Sequence, residues 1–151
     1  MMESGRTITI DTRDFGKQEI NISDIITFPK GIIAFGEFTE YALLSPLGEE
    51  KYPMWLQSVQ KPQLCFTVFD PEQLCDGYSP EIAPEDLEEI GIEDKKDLRL
   101  LAIAVVPDDY RNATVNLKGP IAVNTVNKKA VQIIAAENYP LKFPIYKKEG
   151  E

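Results

Sequence analysis

The side chains able to do chemistry in this 151-residue chain are mostly carboxylates: it has 25 Asp and Glu, 2 Cys and no His. Without imidazole there is no Ser-His-Asp or Cys-His nucleophile system and no histidine-ligated metal. Two cysteines alone do not make a structural zinc site, so neither a metal nor another cofactor is expected. Asp70, Asp76, Asp108 and Asp109 fall near the ends of extended segments, where a pair of hydrolytic carboxyl groups could sit. Nothing in the sequence fixes the spacing of such a pair, and Asp in these places also serves as a turn former. Neither G-x-G-x-x-G nor a P-loop occurs, and Asp94 to Asp97 lacks the spacing and the Gly of a calcium loop. Cys65, in an alternating segment, is expected to be buried and inert; Cys75 lies beside Asp76 with nothing to lower its pKa. No catalytic residue is assigned, and a small carboxylate-based hydrolase stands as the enzymatic alternative.

The carboxylates are unevenly spread. Residues 1–70 hold 6 Lys+Arg against 10 Asp+Glu (−4), residues 71–110 hold 3 against 12 (−9), and residues 111–151 hold 7 against 3 (+4), for a total of −9. An acidic field repels nucleic acid and membranes and speeds encounter with a basic partner. A merely solvated acidic surface accounts for the same composition. The basic last third leaves open a single-stranded nucleic-acid-binding barrel, but that function needs a basic groove, which the acidic segment opposes.

Short alternating segments must position these groups. Leu64, Phe66 and Val68 share one face of a strand, with Cys65, Thr67 and Phe69 on the other. Met54 to Ser58 alternates as well and contains the only Trp, Trp55. The link Val59 to Gln63 carries Lys-Pro, so the two segments make an antiparallel hairpin at the centre of the core. Further strands are predicted at Arg6–Asp11, Gln18–Ile22, Ile25–Phe28, Tyr41–Leu44, Ala113–Leu117, Ile121–Asn124 and Ala130–Ala136. Leu98 to Val106 is apolar on both faces from Leu100, as in a strand covered on both sides. The segment Glu72 to Gly77 is polar, and Tyr78 to Ile82 reads as an extended piece. Pro84 to Ile90 is the one helix signal, with Pro at the first position, acids in the first turn and Gly91 at the end.

The fold class is therefore all-β: a small antiparallel barrel-like domain with one short helix near residues 84–90. A single domain over residues 1–136 is expected, followed by a loosely held, Lys- and Pro-rich tail at 137–151. A chain of this length buries about 70% of its unfolded surface and needs no disulfide staples. The N-terminus has no apolar signal core, and no apolar run is long enough to span a membrane, so a cytoplasmic location is expected.

Five motifs, in order, carry a resemblance. They are Phe28-Pro29-Lys30-Gly31-Ile32 with Phe35; Trp55-Leu56-Gln57-Ser58; Phe66 to Pro71; Tyr78 beyond the Asp-Pro; and Thr114 to Asn124, followed by Gln132. Together they span about residues 28 to 134, and the sequence resembles the FliW family of bacterial flagellar assembly factors. Ala34 departs from the pattern, standing where the family motif has Gly.

The resemblance implies a small barrel-like, non-enzymatic regulator with two partners. One is the dimeric RNA-binding translational regulator CsrA (carbon storage regulator). Proteins similar to this one prevent CsrA from repressing flagellin translation, by binding away from its RNA surface. The other is flagellin, which sequesters the factor and frees CsrA. Charge adds a hypothesis about contacts: Glu85, Asp86, Glu88, Glu89, Glu93 and Asp94 steer CsrA. Tyr78, Asn116 and Asn124 are motif positions that serve either as partner contacts or as structural hydrogen-bonding groups. Trp55, Phe66, Val68, Val115 and Ile121 are expected in the core. No direct nucleic-acid or membrane binding is expected.

Overall fold

The computed structural model describes residues 6–48 and 51–146. Its strands are β1 (Thr7–Asp11), β2 (Lys17–Asn21), β3 (Ile25–Thr27), β4 (Glu40–Leu44), β5 (Met54–Ser58) and β6 (Cys65–Phe69). Two short helices follow, α1 (Pro71–Leu74) and α2 (Pro84–Glu89). Then come β7 (Leu98–Val105), β8 (Thr114–Val115), β9 (Ile121–Asn124), β10 (Ala130–Gln132) and β11 (Phe143–Pro144). The main sheet runs β10-β9-β7-β6-β5-β4-β3, and every neighbouring pair in it is antiparallel. The C-terminal half of β7 also pairs with β8, which carries β11 on its far side, while β1 and β2 form a separate ribbon.

The fold is all-β, and the central hairpin is where the alternation places it. Leu56 lies opposite Phe66 and Met54 opposite Val68, all four facing the interior. That interior is closed by Phe28, Tyr41, Leu101, Ile121 and Val123, each buried side chain stabilising the fold by about 1.5–3 kcal/mol. On its other face β7 packs Leu100 and Ala102 beneath Tyr78, Val115 and Leu117, so it is covered on both sides.

The sheet curls until its edges meet, but it is not a closed barrel. Between β3 and β10 the ladder is reduced to one parallel bridge, Thr27 to Lys129, where Thr27 N–H donates to Lys128 O at 2.8 Å. Two side-chain links flank this seam. Ile33 N–H donates to Gln132 Oε1 at 2.9 Å, and Lys30 pairs with Glu89 at 3.1 Å.

Three segments differ from the sequence reading. Residues after Asp70 form α1 rather than a loose polar stretch, because the Asp70 carboxylate accepts from Glu72 N–H at 2.9 Å and Pro71 opens the turn. β10 stops at Gln132, and the chain beyond it is held by single bonds from Ile133 N–H to Pro120 O and Ala135 N–H to Lys118 O. The first part of the expected loose tail is stitched to the sheet. Leu117 N–H donates to Pro140 O, Ile145 N–H donates to Ala113 O, and Tyr139, Phe143 and Ile145 pack on the cluster around Val115. Residues 147–151 of that tail lie outside the described residues.

The loop between β3 and β4 folds back on itself through the isolated bridge Ile32 to Phe35. It passes through left-handed backbone at Gly31 (φ +68°) and at Ala34 (φ +76°), the position where the resemblance implies Gly. Left-handed backbone costs an L-residue about 1–2 kcal/mol, against about 0.5–1 kcal/mol of chain entropy that Gly would lose there. Ala34→Gly is therefore expected to raise stability by about 0.5–1 kcal/mol, read as a higher urea midpoint. Gly31→Ala would set a Cβ 2.5 Å from Gly36 Cα and is expected to lower stability by about 2 kcal/mol or more in the same titration.

Tyr41 supplies a second test. Its hydroxyl is buried with no hydrogen-bond partner, and burial pushes the phenol from 10.0 up to about 12. Below pH 10 the phenol is neutral in both folded and unfolded chains. As pH rises through 10 towards 12 the unfolded chain ionises first, so stability falls across that window. Tyr41→Phe removes an unsatisfied polar group; it is expected to raise stability by about 1 kcal/mol at neutral pH and to reduce the alkaline loss, measured by denaturation at stepped pH.

Candidate functional site

The acidic segment is built outward from one buried residue. α2 opens on Pro84 with Glu85 and Asp86 in its first turn, where the helix dipole favours them, but Ala83 offers no side-chain cap. A helix this short is stable only by docking. Ile90, just past its end, is fully buried against Ala122, Val131 and Ile133. The Ile90 carbonyl accepts from both Asn124 Nδ2 at 2.9 Å and Asn127 Nδ2 at 3.0 Å. Gly91 then turns the chain at φ +74°. Asp94 accepts from Lys96 N–H at 3.0 Å and caps the turn Lys95–Asp97, which leads into β7.

Of the six acidic residues, Glu85, Glu88, Glu93 and Asp94 are exposed along this arm, while Asp86 and Glu89 are partly buried. Glu89 is neutralised by Lys30 across the seam. Lys95 and Lys96 stand exposed in the same arm, and Lys96 approaches Asp94 at 3.8 Å. The outward field therefore rests chiefly on Glu85, Glu88 and Glu93.

The three motif residues bond to backbone. Tyr78 is buried and donates its hydroxyl to Leu117 O at 2.6 Å, its ring edge-on to Tyr139 at 4.6 Å. Burial pushes this phenol well above the usual tyrosine range. Asn116 Oδ1 accepts from Lys118 N–H at 2.9 Å and Gly119 N–H at 2.8 Å, shaping the turn between β8 and β9. Asn124, also buried, donates to Ile90 O and accepts from Val126 N–H at 2.9 Å.

The sequence reading missed an apolar face. Val105, Val106, Tyr110 and Tyr146 are exposed, and the last three border a groove of about 280 Å³ floored by Trp55 and Phe69. The Tyr110 and Tyr146 rings meet edge-on at 5.6 Å. Exposed apolar surface of this kind marks interaction sites. Its signal is the apolar run of β7, which continues through Val106 past the last residue with a ladder partner.

Two of the four strand-end carboxylates, Asp70 and Asp109, have local duties. Asp70 caps α1, and Asp109 accepts from Arg111 N–H and pairs with its guanidinium at 3.0 Å. A cleft of about 480 Å³ beside Tyr78 carries Glu72 and Glu81, both exposed. The buried Cys65 thiol is pushed up to about 11, mainly by burial, and is a poor nucleophile. Among the described residues no group of three or more His, Cys, Asp or Glu is placed to hold a metal ion, and no helix is long and apolar enough to cross a membrane.

The family model for "FliW protein" matches residues 9–145. The chain is 36% identical over 144 residues to the flagellar assembly factor FliW of Natranaerobius thermophilus, covering 93% of this chain and 94% of the relative. It is 36% identical over 138 residues to that of Leptospira biflexa, covering 90% of each. A crystal structure of the flagellar assembly factor FliW superposes with a TM-score of 0.87 at 30% identity, over 94% of this chain and 99% of that one.

Removing the carboxamide that anchors the acidic arm tests its construction. Asn124→Ala deprives Ile90 O and Val126 N–H of a buried partner and is expected to cost roughly 2–3 kcal/mol. Amide exchange should quicken selectively over residues 84–97, measured by hydrogen–deuterium exchange.

Proposed function

The chain belongs to the FliW family of flagellar assembly factors, and on that premise we propose that it is a protein antagonist of the translational regulator CsrA. It relieves repression of flagellin translation and is itself sequestered by flagellin. It works in the cytoplasm by binding proteins rather than by catalysis, without direct contact to nucleic acid or membrane.

The observation that carries the CsrA reading is the acidic arm. Glu85, Glu88 and Glu93 stand exposed on a short segment that Ile90 and Asn124 clamp to the sheet. An RNA-binding partner needs a basic surface, and an acidic face attracts that surface while repelling RNA. Charge of this kind sets encounter rate and orientation more than final affinity. The apolar groove by Val106 and Tyr110 can supply the buried area that charge does not.

Calorimetry against CsrA, alone and with flagellin already bound, tests the reading. Tight binding that flagellin abolishes is expected; absence of binding to either partner would overturn the proposal. The triple reversal Glu85→Lys, Glu88→Lys and Glu93→Lys is expected to slow association with CsrA about tenfold at low salt and to flatten its salt dependence, with little change in dissociation. Unchanged stopped-flow kinetics would remove the arm from the mechanism.

A further inference from the structure

Along β7 the residues Arg99, Leu101 and Ile103 point to the same face, and Leu101 and Ile103 fill the interior. Arg99 thus sets a guanidinium where a core side chain would stand, at the end of the curled sheet. Its fork of five donors is scarcely used. It donates to Tyr52 Oη and points another N–H at Met54 Sδ, 3.6 Å away and a weak acceptor. Among the described ion pairs no carboxylate lies within reach of Arg99 or of Lys128.

Both cations line one cavity of about 260 Å³. Leu43, Met54 and Val123 form its apolar wall, and Asp24 is the one carboxylate on it among the described residues. Among the described lining residues two cations face one anion, in a chain of net charge −9. Lys128 is brought there by left-handed backbone at φ +61°. That conformation is fixed from two sides: Lys128 N–H donates to Asn124 O at 2.9 Å, and Lys128 O accepts from Thr27 N–H at 2.8 Å.

We propose that this end of the curled sheet binds a small carboxylate borne on a short branched apolar group. A guanidinium fork matches a carboxylate in two parallel hydrogen bonds, Lys128 adds a second charge, and the apolar wall takes the stem. Asp24 admits an ammonium beside the carboxylate, so a simple branched acid and an apolar amino acid share the required chemistry.

The probes are isocaproate and leucine, titrated into the full chain while the methyl resonances of Leu43, Met54 and Val123 are followed. Saturable shifts with either are expected. Tighter binding of leucine would assign Asp24 to the ammonium, and tighter binding of isocaproate would assign the site to simple acids; both support it. Arg99→Gln is expected to weaken binding about 10- to 100-fold. Lys128→Gly removes the ammonium while relieving the backbone, so it should fold at least as well and still bind about tenfold more weakly. The proposal is overturned if neither probe saturates at tens of millimolar, if isohexanol shifts the same methyls equally, or if Lys128→Gly and Arg99→Gln both bind as the parent does.

Discussion

The buried carboxamide of Gln57 joins the β1–β2 ribbon to the β5–β6 hairpin, two parts of the chain that ladder hydrogen bonds leave independent. Its Nε2 donates to the carbonyls of Ser58, Pro62 and Leu64, which shapes the turn between β5 and β6. Its Oε1 accepts from Arg13 N–H at 2.9 Å, and Arg13 in turn donates to Cys65 O at 2.8 Å. The β1–β2 ribbon is thereby held against the central hairpin, where Phe15 meets Trp55 edge-on at 5.2 Å. A carboxamide buried without partners costs several kcal/mol, so registers that break this set are strongly disfavoured. Ser58 completes the turn by accepting from Lys61 N–H at 3.0 Å.

The same device recurs at the other turns. Asn116 shapes the link from β8 to β9, Asn124 and Asn127 hold the end of the acidic arm, and Gln132 bridges Gly119 O to Ile33 N–H. These residues lie in or beside the motifs by which the family is recognised. The motifs therefore supply side chains that shape turns of this sheet, while alternation shapes its strands.

That division explains what was legible in the sequence. Alternation places the strands because each has one face in the core, and the double-faced apolar run of β7 betrays its central position. α1 is hard to read from sequence although Asp70-Pro71 is a capping signal, because one helical turn offers no apolar period to detect. The docking of residues 139–145 depends on pairing with β8, a contact between segments about 30 residues apart that local composition does not record. Of the six acidic residues, exposure separates Glu85 and Glu88 from Glu89 only once the Lys30 partner is in place. The fates of Tyr78, Asn116 and Asn124 turn likewise on distant carbonyls or on the precise course of a turn.

The seam between β3 and β10 bears on how the chain reaches this structure. The β4–β5 and β5–β6 ladders join neighbouring segments and close short loops, but Thr27 must find Lys128 across about 100 residues. The entropy of that closure has to be met before its lone backbone hydrogen bond contributes anything. The seam is thus a late event in folding, made after the β4-β5-β6-β7 meander already presents a surface for Phe28 and Ile32 to cover. By the same logic it is the first line along which the curled sheet parts under load, opening the core from its edge while the central hairpin stays paired.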